Sequence, residues 1–104
     1  MQRGCFSFQI FPGKEDEYQQ RHDDIWPEML AALSRDGRRN YSLFRSNLTI
    51  VGYFELEEVE LNEDVKLEIE QVQSRWAKSM EGIIDFSTAR GANAHVFHEV
   101  WHMQ

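Results

Sequence analysis

Residues 4 to 11, GCFSFQIF, set Phe6, Phe8 and Ile10 against Cys5, Ser7 and Gln9, which is the two-residue period of a strand with one buried face. Pro12-Gly13 breaks that run. From Lys14 to about Arg35 acidic residues come early and apolar ones recur with a helical period, so the pattern predicts a first helix there. Pro27 falls inside it. Proline has no N–H and its ring crowds the preceding turn, so either the helix kinks or a new helical segment starts with Pro27 in its first turn. Asp36-Gly37 ends the helix. Tyr41 to Arg45 and Leu48 to Leu56 read as two strands, joined by Ser46-Asn47 in a tight hairpin turn. Residues 63 to 85 predict a second helix, with Ile69, Val72, Trp76, Met80 and Ile83 on one face. A loop of small residues from Ser87 to Asn93, containing Gly91, leads to a fourth alternating strand from Ala94 to Trp101.

The order β-α-β-β-α-β predicts an α+β, ferredoxin-like fold: a four-stranded antiparallel sheet with two helices on one face, in a single domain spanning residues 1–104. The other face is not plainly polar. On the third strand Leu48, Ile50, Phe54 and Leu56 oppose Val51 and Tyr53, and on the fourth Val96 and Val100 oppose Phe97 and Trp101. A sheet with apolar residues on both sides needs a second cover, and two-fold self-association is the commonest one. The expectation is a homodimer through the helix-free face of the sheet.

Composition narrows the partners. At 104 residues, 41% apolar and 28% charged, the chain is an ordinary globular domain with one core, rich in aromatics at 12%. Its net charge of −7 has no compensating basic cluster, since Arg35 to Arg39 holds only three arginines. That argues against nucleic acid and anionic membranes as partners. The single cysteine, Cys5, has no intramolecular disulfide partner, and a buried inert thiol is the expectation for it. No apolar run approaches the ~20 residues that span a bilayer, and MQRGCFSFQIF makes a poor signal peptide. The cytoplasm is the expected compartment.

One stretch carries candidate chemistry. Within YQQRHDDIWPEM, residues 18 to 29, helical geometry places Tyr18, His22, Ile25, Met29 and Leu33 in one inward sector, with Trp26 at its edge. A buried phenol or imidazole without a partner costs about 1–3 kcal/mol. Tyr41 on the second strand and Trp76 on the second helix lie at the same general level, so the four side chains can wall a small cavity between helices and sheet. Aromatic faces stack on the C–H face of a sugar while phenol and imidazole bond its hydroxyls. Inward polar aromatics are also common as plain core residues, and spacing alone leaves both readings open.

The block EYQQRHDDIWPEM, residues 17 to 29, resembles the Glu-Tyr-x-x-Arg-His-x-x-Ile-Trp-Pro-Glu signature of the L-rhamnose mutarotase family. Asn40-Tyr41-Ser42 and Arg75-Trp76 are similar to further segments of that family, at collinear positions over nearly the whole chain. The resemblance implies a dimeric α+β barrel that interconverts the anomers of a pyranose, a small monosaccharide, without metal or organic cofactor. It implies His22 as the proton donor and Tyr18, Tyr41 and Trp76 as sugar contacts. Imidazole, with a pKa of about 6.5, both gives and accepts protons near neutrality, and such help is worth about 10²–10⁴-fold. The base is not identified by the resemblance; Asp23 and Glu28 lie nearby in sequence and read as surface charges. Two departures bear on the substrate. The family commonly doubles the tryptophan where this chain has Trp76 followed by Ala77, and residues 85 to 95, DFSTARGANAH, replace an Asn/Pro/Asp-rich loop.

Other patterns are weaker. His95, His98 and His102 do not converge on a strand, which argues against a metal site. The run ELEEVELNED, residues 55 to 64, reads as a solvated connection, and Gly91 alone makes no phosphate-cradling loop. The readings that stand are an aldose 1-epimerase acting on a deoxyhexose and a non-catalytic dimeric module that binds a small ligand or only associates. A monooxygenase of the same barrel type has no motif in this chain.

Overall fold

The computed structural model describes residues 2–89 and 95–104. Its elements run β1 (Gln2–Ile10), α1 (Glu15–Asp23), α2 (Pro27–Arg35), β2 (Arg38–Ser46), β3 (Thr49–Leu56), α3 (Glu63–Ser79), β4 (Ile84–Asp85), a 3₁₀ turn (Phe86–Thr88) and β5 (His95–Phe97). The pairings among these five strands are antiparallel. The sheet order is β2-β3-β1, with β4 and β5 sharing the far edge of β1: β4 pairs its end at Gln9 and Ile10, and β5 pairs Cys5 to Ser7.

The α+β reading and the antiparallel sheet hold, with three α-helices and five strands among the described residues where two and four were expected. Pro27 is the reason for the third helix. Trp26 is extended, at φ −61° and ψ 135°, and Pro27 opens α2 at its first position, where its fixed φ suits a helix and its missing N–H goes unneeded. The restart, and not a kink, is what forms. The second predicted helix is shorter than residues 63 to 85. It begins where Asn62 Oδ1 accepts from the Val65 N–H at 2.9 Å, an N-cap that satisfies one orphan donor. It ends at Ser79, because Gly82 turns the chain at φ 83°. Met80 and Ile83 are still buried, at 0% and 3% exposure, but from the turn and not from a helix face. Apolar spacing that continues past a helix end explains the overrun.

Two strand boundaries also move. The hairpin turn is Asn47-Leu48, with Ser46 already paired to Thr49, and Asn47 takes the left-handed φ of 56° that asparagine tolerates. β2 starts three residues before Tyr41 and carries a bulge: Arg39 faces Glu55 and Ser42 faces Tyr53, so Asn40 and Tyr41 together oppose Phe54. Asn40 is the extra residue, at φ 48°. The fourth predicted strand, residues 94 to 101, shrinks to His95–Phe97, and residues 98 to 104 lie in no strand. Glu99 nonetheless sits beside β1, its carboxylate accepting from Arg3 Nε at 2.7 Å and Nη2 at 3.1 Å. Gly91 and Ala94 lie outside the described residues.

Register sorts the faces. Phe6, Phe8 and Ile10 of β1 pair with Gly52, Ile50 and the start of β4, and these residues project toward the helices. Ile10, Tyr18, Ile50, Met80, Ile83 and Ile84 form the core beneath them, with Phe8, Leu43, Leu48 and Trp76 packed against it. The opposite face carries Cys5, Ser7, Gln9, Val51 and Tyr53, all only half-buried. Cys5 is therefore not the fully buried thiol that was expected. Phe44 and Phe97 are exposed at 62% and 46%.

Candidate functional site

A cavity of about 410 Å³ opens between α1, α2, α3 and the β2 side of the sheet, and it is lined by Tyr18, His22, Tyr41 and Trp76 together. Each gets there by a local rule. Tyr18 and His22 are one helical turn apart on α1 and so share a face. Tyr41 reaches the inner side of β2 just after the bulge, with its ring 5.6 Å from Phe54 and 6.2 Å from Phe6. Trp76 comes from the last turns of α3, edge-on to His22 at 5.4 Å and to Trp26 at 5.2 Å. Ile25, Met29 and Leu33 complete the apolar floor, and they do so although Pro27 splits the helix that was expected to carry them.

His22 is held in one tautomer. Its Nδ1 lies 2.9 Å from the Tyr18 carbonyl oxygen, and a carbonyl only accepts, so Nδ1 carries the proton as donor. The neutral ring then has Nε2 as its lone-pair nitrogen. Burial pushes the His22 pKa below its ordinary 6.5, partly offset by the bond to the Tyr18 carbonyl and by the charge of Asp23. The imidazole is accordingly neutral at pH 7.

Tyr18 is 6% exposed, and its ring lies 4.3 Å from the His22 ring, tilted to it by 35°. Burial, reinforced by the nearby Tyr41, pushes its hydroxyl pKa far upward, so it stays protonated throughout the physiological range. Among the described residues its hydroxyl makes no protein hydrogen bond, which leaves it as a donor toward the cavity. Tyr41 sits at the rim with 39% of its surface exposed; the rings packed around its inner edge still raise its pKa, and the Arg38 guanidinium pulls it down.

Neither carboxylate near the stripe enters the cavity. Asp23 accepts from Gln19 Nε2 at 2.9 Å on the outside of α1, and Glu28 is exposed. Among the described residues no acidic side chain lines the cavity, and Arg45 is the one charged group that does. Gln19, Leu30, Leu43, Phe44, Arg45 and Ile50 also line it, none of them singled out in the sequence. Arg45 had a signal, since it follows Tyr41 and Leu43 at every second position of β2. Gln19 had none. Elsewhere, no three metal-ligating side chains converge among the described residues: His95 stacks on Phe97 at 5.2 Å and His102 lies 3.3 Å from Arg3 Nη1. Among the described residues no helix is long and apolar enough to cross a membrane.

Comparison with known proteins bears on what such a cavity is for. The family model described as "L-rhamnose mutarotase" matches residues 3–103. A protein of that name from Oceanobacillus iheyensis is 34% identical over 105 residues, covering 99% of both chains. Another from Bacillus subtilis is 39% identical over 93 residues, covering 84% of this chain and 88% of its own. The crystal structure of L-rhamnose mutarotase from Formosa agariphila superposes over the full length of both chains with a TM-score of 0.74 at 23% identity, which establishes the shared fold.

Proposed function

The chain belongs to the L-rhamnose mutarotase family, enzymes whose reaction is interconversion of sugar anomers, and on that premise we propose that its cavity binds L-rhamnose or a related deoxyhexose and opens and recloses its ring. The observation that carries this reading is the convergence of His22, Tyr18, Tyr41 and Trp76 on one cavity with an apolar floor. Trp76 and Tyr41 offer flat faces to the C–H side of a pyranose, and Ile25, Met29 and Leu33 suit a methyl where an ordinary hexose carries a hydroxymethyl. His22 is the proton-transferring group. Ring opening transfers protons without changing the oxidation level of any atom, so the chemistry asks for no redox centre.

The same reading includes a ferredoxin-like single domain and a homodimer through the helix-free sheet face. The exposed Phe44 and Phe97 and the half-buried Val51 and Tyr53 on that face support it, and sedimentation at micromolar concentration tests it. A soluble monosaccharide substrate is consistent with a cytoplasmic enzyme that touches neither nucleic acid nor membrane.

The activity is measured by NMR magnetisation transfer between the two anomeric protons of L-rhamnose. The wild-type chain accelerates exchange and His22→Ala loses about 10²–10⁴-fold of that acceleration. No acceleration with L-rhamnose, L-fucose or plain hexoses leaves a non-catalytic binding module as the better account. An unimpaired His22→Ala removes His22 from the chemistry.

A further inference from the structure

We propose that Arg45 is a specificity-determining residue of the cavity: its guanidinium donates to two neighbouring hydroxyls on the edge of the pyranose opposite the ring oxygen, the C3 hydroxyl among them. This rests on the mutarotase reading and deepens it, because it says which part of the sugar is read away from the reacting carbon. The strand puts the side chain there. Arg45 pairs with Ile50, which is 1% exposed in the core, and it follows Tyr41 and Leu43 at every second position, so all three project to the helix side. Arg45 and Gln19 line the cavity yet are exposed, so they mark its mouth, above the floor of Ile25, Met29 and Leu33.

The guanidinium is held but not neutralised. The chain has 18 acidic side chains against 11 lysines and arginines, and Arg3, Arg35, Arg38 and Arg39 lie 2.7, 3.4, 3.9 and 3.2 Å from carboxylates. Arg45 has no such partner among the described residues. Its Nη1 donates to the Asn47 carbonyl at 2.9 Å, in the hairpin turn that follows. That bond fixes one arm of the fork and leaves Nε and Nη2 with no protein acceptor among the described residues. A guanidinium presents planar N–H donors and accepts nothing, so the two free arms match a pair of adjacent oxygens. Gln19 adds the acceptor: its Nε2 donates to Asp23 Oδ1 at 2.9 Å, and its Oε1 has no protein partner among the described residues. Donors together with an acceptor suit the hydroxyls of a neutral sugar, each of which gives one bond and takes others. With His22 serving the anomeric carbon and ring oxygen and the apolar floor taking the methyl on C5, the edge left for the mouth runs from C2 to C4, and C3 is its centre.

Sugar binding is read by tryptophan fluorescence, since Trp76 lines the cavity, and turnover by anomer exchange in NMR. Arg45→Met is expected to weaken L-rhamnose binding and raise KM by about 10-fold, the worth of hydrogen bonds from a charged donor. Its kcat is expected to stay within about threefold of wild type, because a contact made equally in ground and transition states moves KM alone. The wild type is expected to bind 3-deoxy-L-rhamnose about 10-fold more weakly than L-rhamnose, and Arg45→Met to change that weaker binding by less than about threefold. An Arg45→Met that binds L-rhamnose as the wild type does overturns the proposal, as does an equal loss for both sugars, which marks a general change in the cavity. A hexuronate preferred over L-rhamnose, with the preference lost in Arg45→Met, overturns it too, because the guanidinium then serves a carboxylate. The comparison of the two sugars on the wild type needs no variant, so equal binding refutes the assignment even where Arg45→Met fails to fold. Binding that depends on Arg45 and on the C3 hydroxyl, without any acceleration of anomer exchange, defeats the mutarotase reading alone; no binding of either sugar overturns both.

Discussion

Gly52→Ala perturbs the cavity from beneath, through a ring that touches no substrate. Gly52 pairs across strands with Phe6, whose ring lies over it, and Gly4 pairs with Phe54 in the same way. A Cβ built on Gly52 overlaps the tip of the Phe6 ring, so the ring has to retreat by about an ångström to reach ordinary contact. It has little room, since it is stacked 6.0 Å from Phe8 and stands edge-on 6.2 Å from Tyr41. Forcing Phe6 off its rotamer costs about 0.5–1.5 kcal/mol, and loosening two ring contacts, each worth about 0.5–1.5 kcal/mol, removes part of each. Against roughly 2 kcal/mol of strain, alanine narrows the unfolded ensemble and returns about 0.5 kcal/mol. The net expectation is a loss of about 1.5 kcal/mol, or about 6–12 °C in Tm, read by circular dichroism at fixed protein concentration. Phe6→Leu is expected to recover part of the Gly52→Ala loss, with a coupling of about 1 kcal/mol in the double-mutant cycle. Additive effects, or a Gly52→Ala within 0.5 kcal/mol of wild type, refute the reasoning.

Two further outcomes follow from the geometry. Because the folded pKa of His22 lies below its unfolded value of about 6.5, the unfolded chain binds more protons between the two, and stability falls as pH drops below about 6.5 toward the folded pKa. A urea titration series from pH 7.5 to 5 shows this slope, and His22→Gln flattens it. The lowered pKa values of Glu55 and Glu99 act in a separate, more acidic window, below about 4.5. Asn47→Val places a β-branched residue at φ 56° and is expected to cost about 1–2 kcal/mol, seen as a lower urea midpoint with an unchanged slope; Asn47→Gly is expected to cost less than half of that.

Much of this was legible in the residues, and the rest failed for identifiable reasons. Alternation in GCFSFQIF located β1 because half of it faces the core. Pro27 announced a break in the helix, although only the extended backbone at Trp26 decided between a kink and a restart. Met80 and Ile83 misled because burial in a turn leaves the same apolar spacing as burial on a helix, and Gly82 was the overlooked stop signal. The alternation from Val96 to Trp101 promised a strand that stops at Phe97. In the β1–β5 register Arg3 meets Glu99 only two residues beyond Cys5 opposite Phe97, so little of β1 remains for the last residues to pair with. For the cavity, helical spacing brought Tyr18 and His22 together and the element order put Tyr41 and Trp76 at the same level, whereas family resemblance was needed to give the four side chains roles. Arg45 was legible from the two-residue period it shares with Tyr41 and Leu43 on β2.

The bulge at Asn40 sets how this strand tolerates change in length. Arg38 and Tyr41 both lie on the helix side and Arg39 and Ser42 both lie on the other, so removing Asn40 leaves a strand that alternates without interruption. Tyr41 keeps its side of the sheet, and what is lost is local twist, a left-handed residue and the bond from Asn40 Nδ2 to Glu55. A one-residue deletion anywhere from Ser42 to Ser46 behaves oppositely. The hairpin holds the C-terminal end of the strand to Thr49, so Tyr41 is carried to the outer face and the cavity loses its wall. Loss of one residue thus leaves the cavity wall in place at position 40 and removes it at positions 42 to 46.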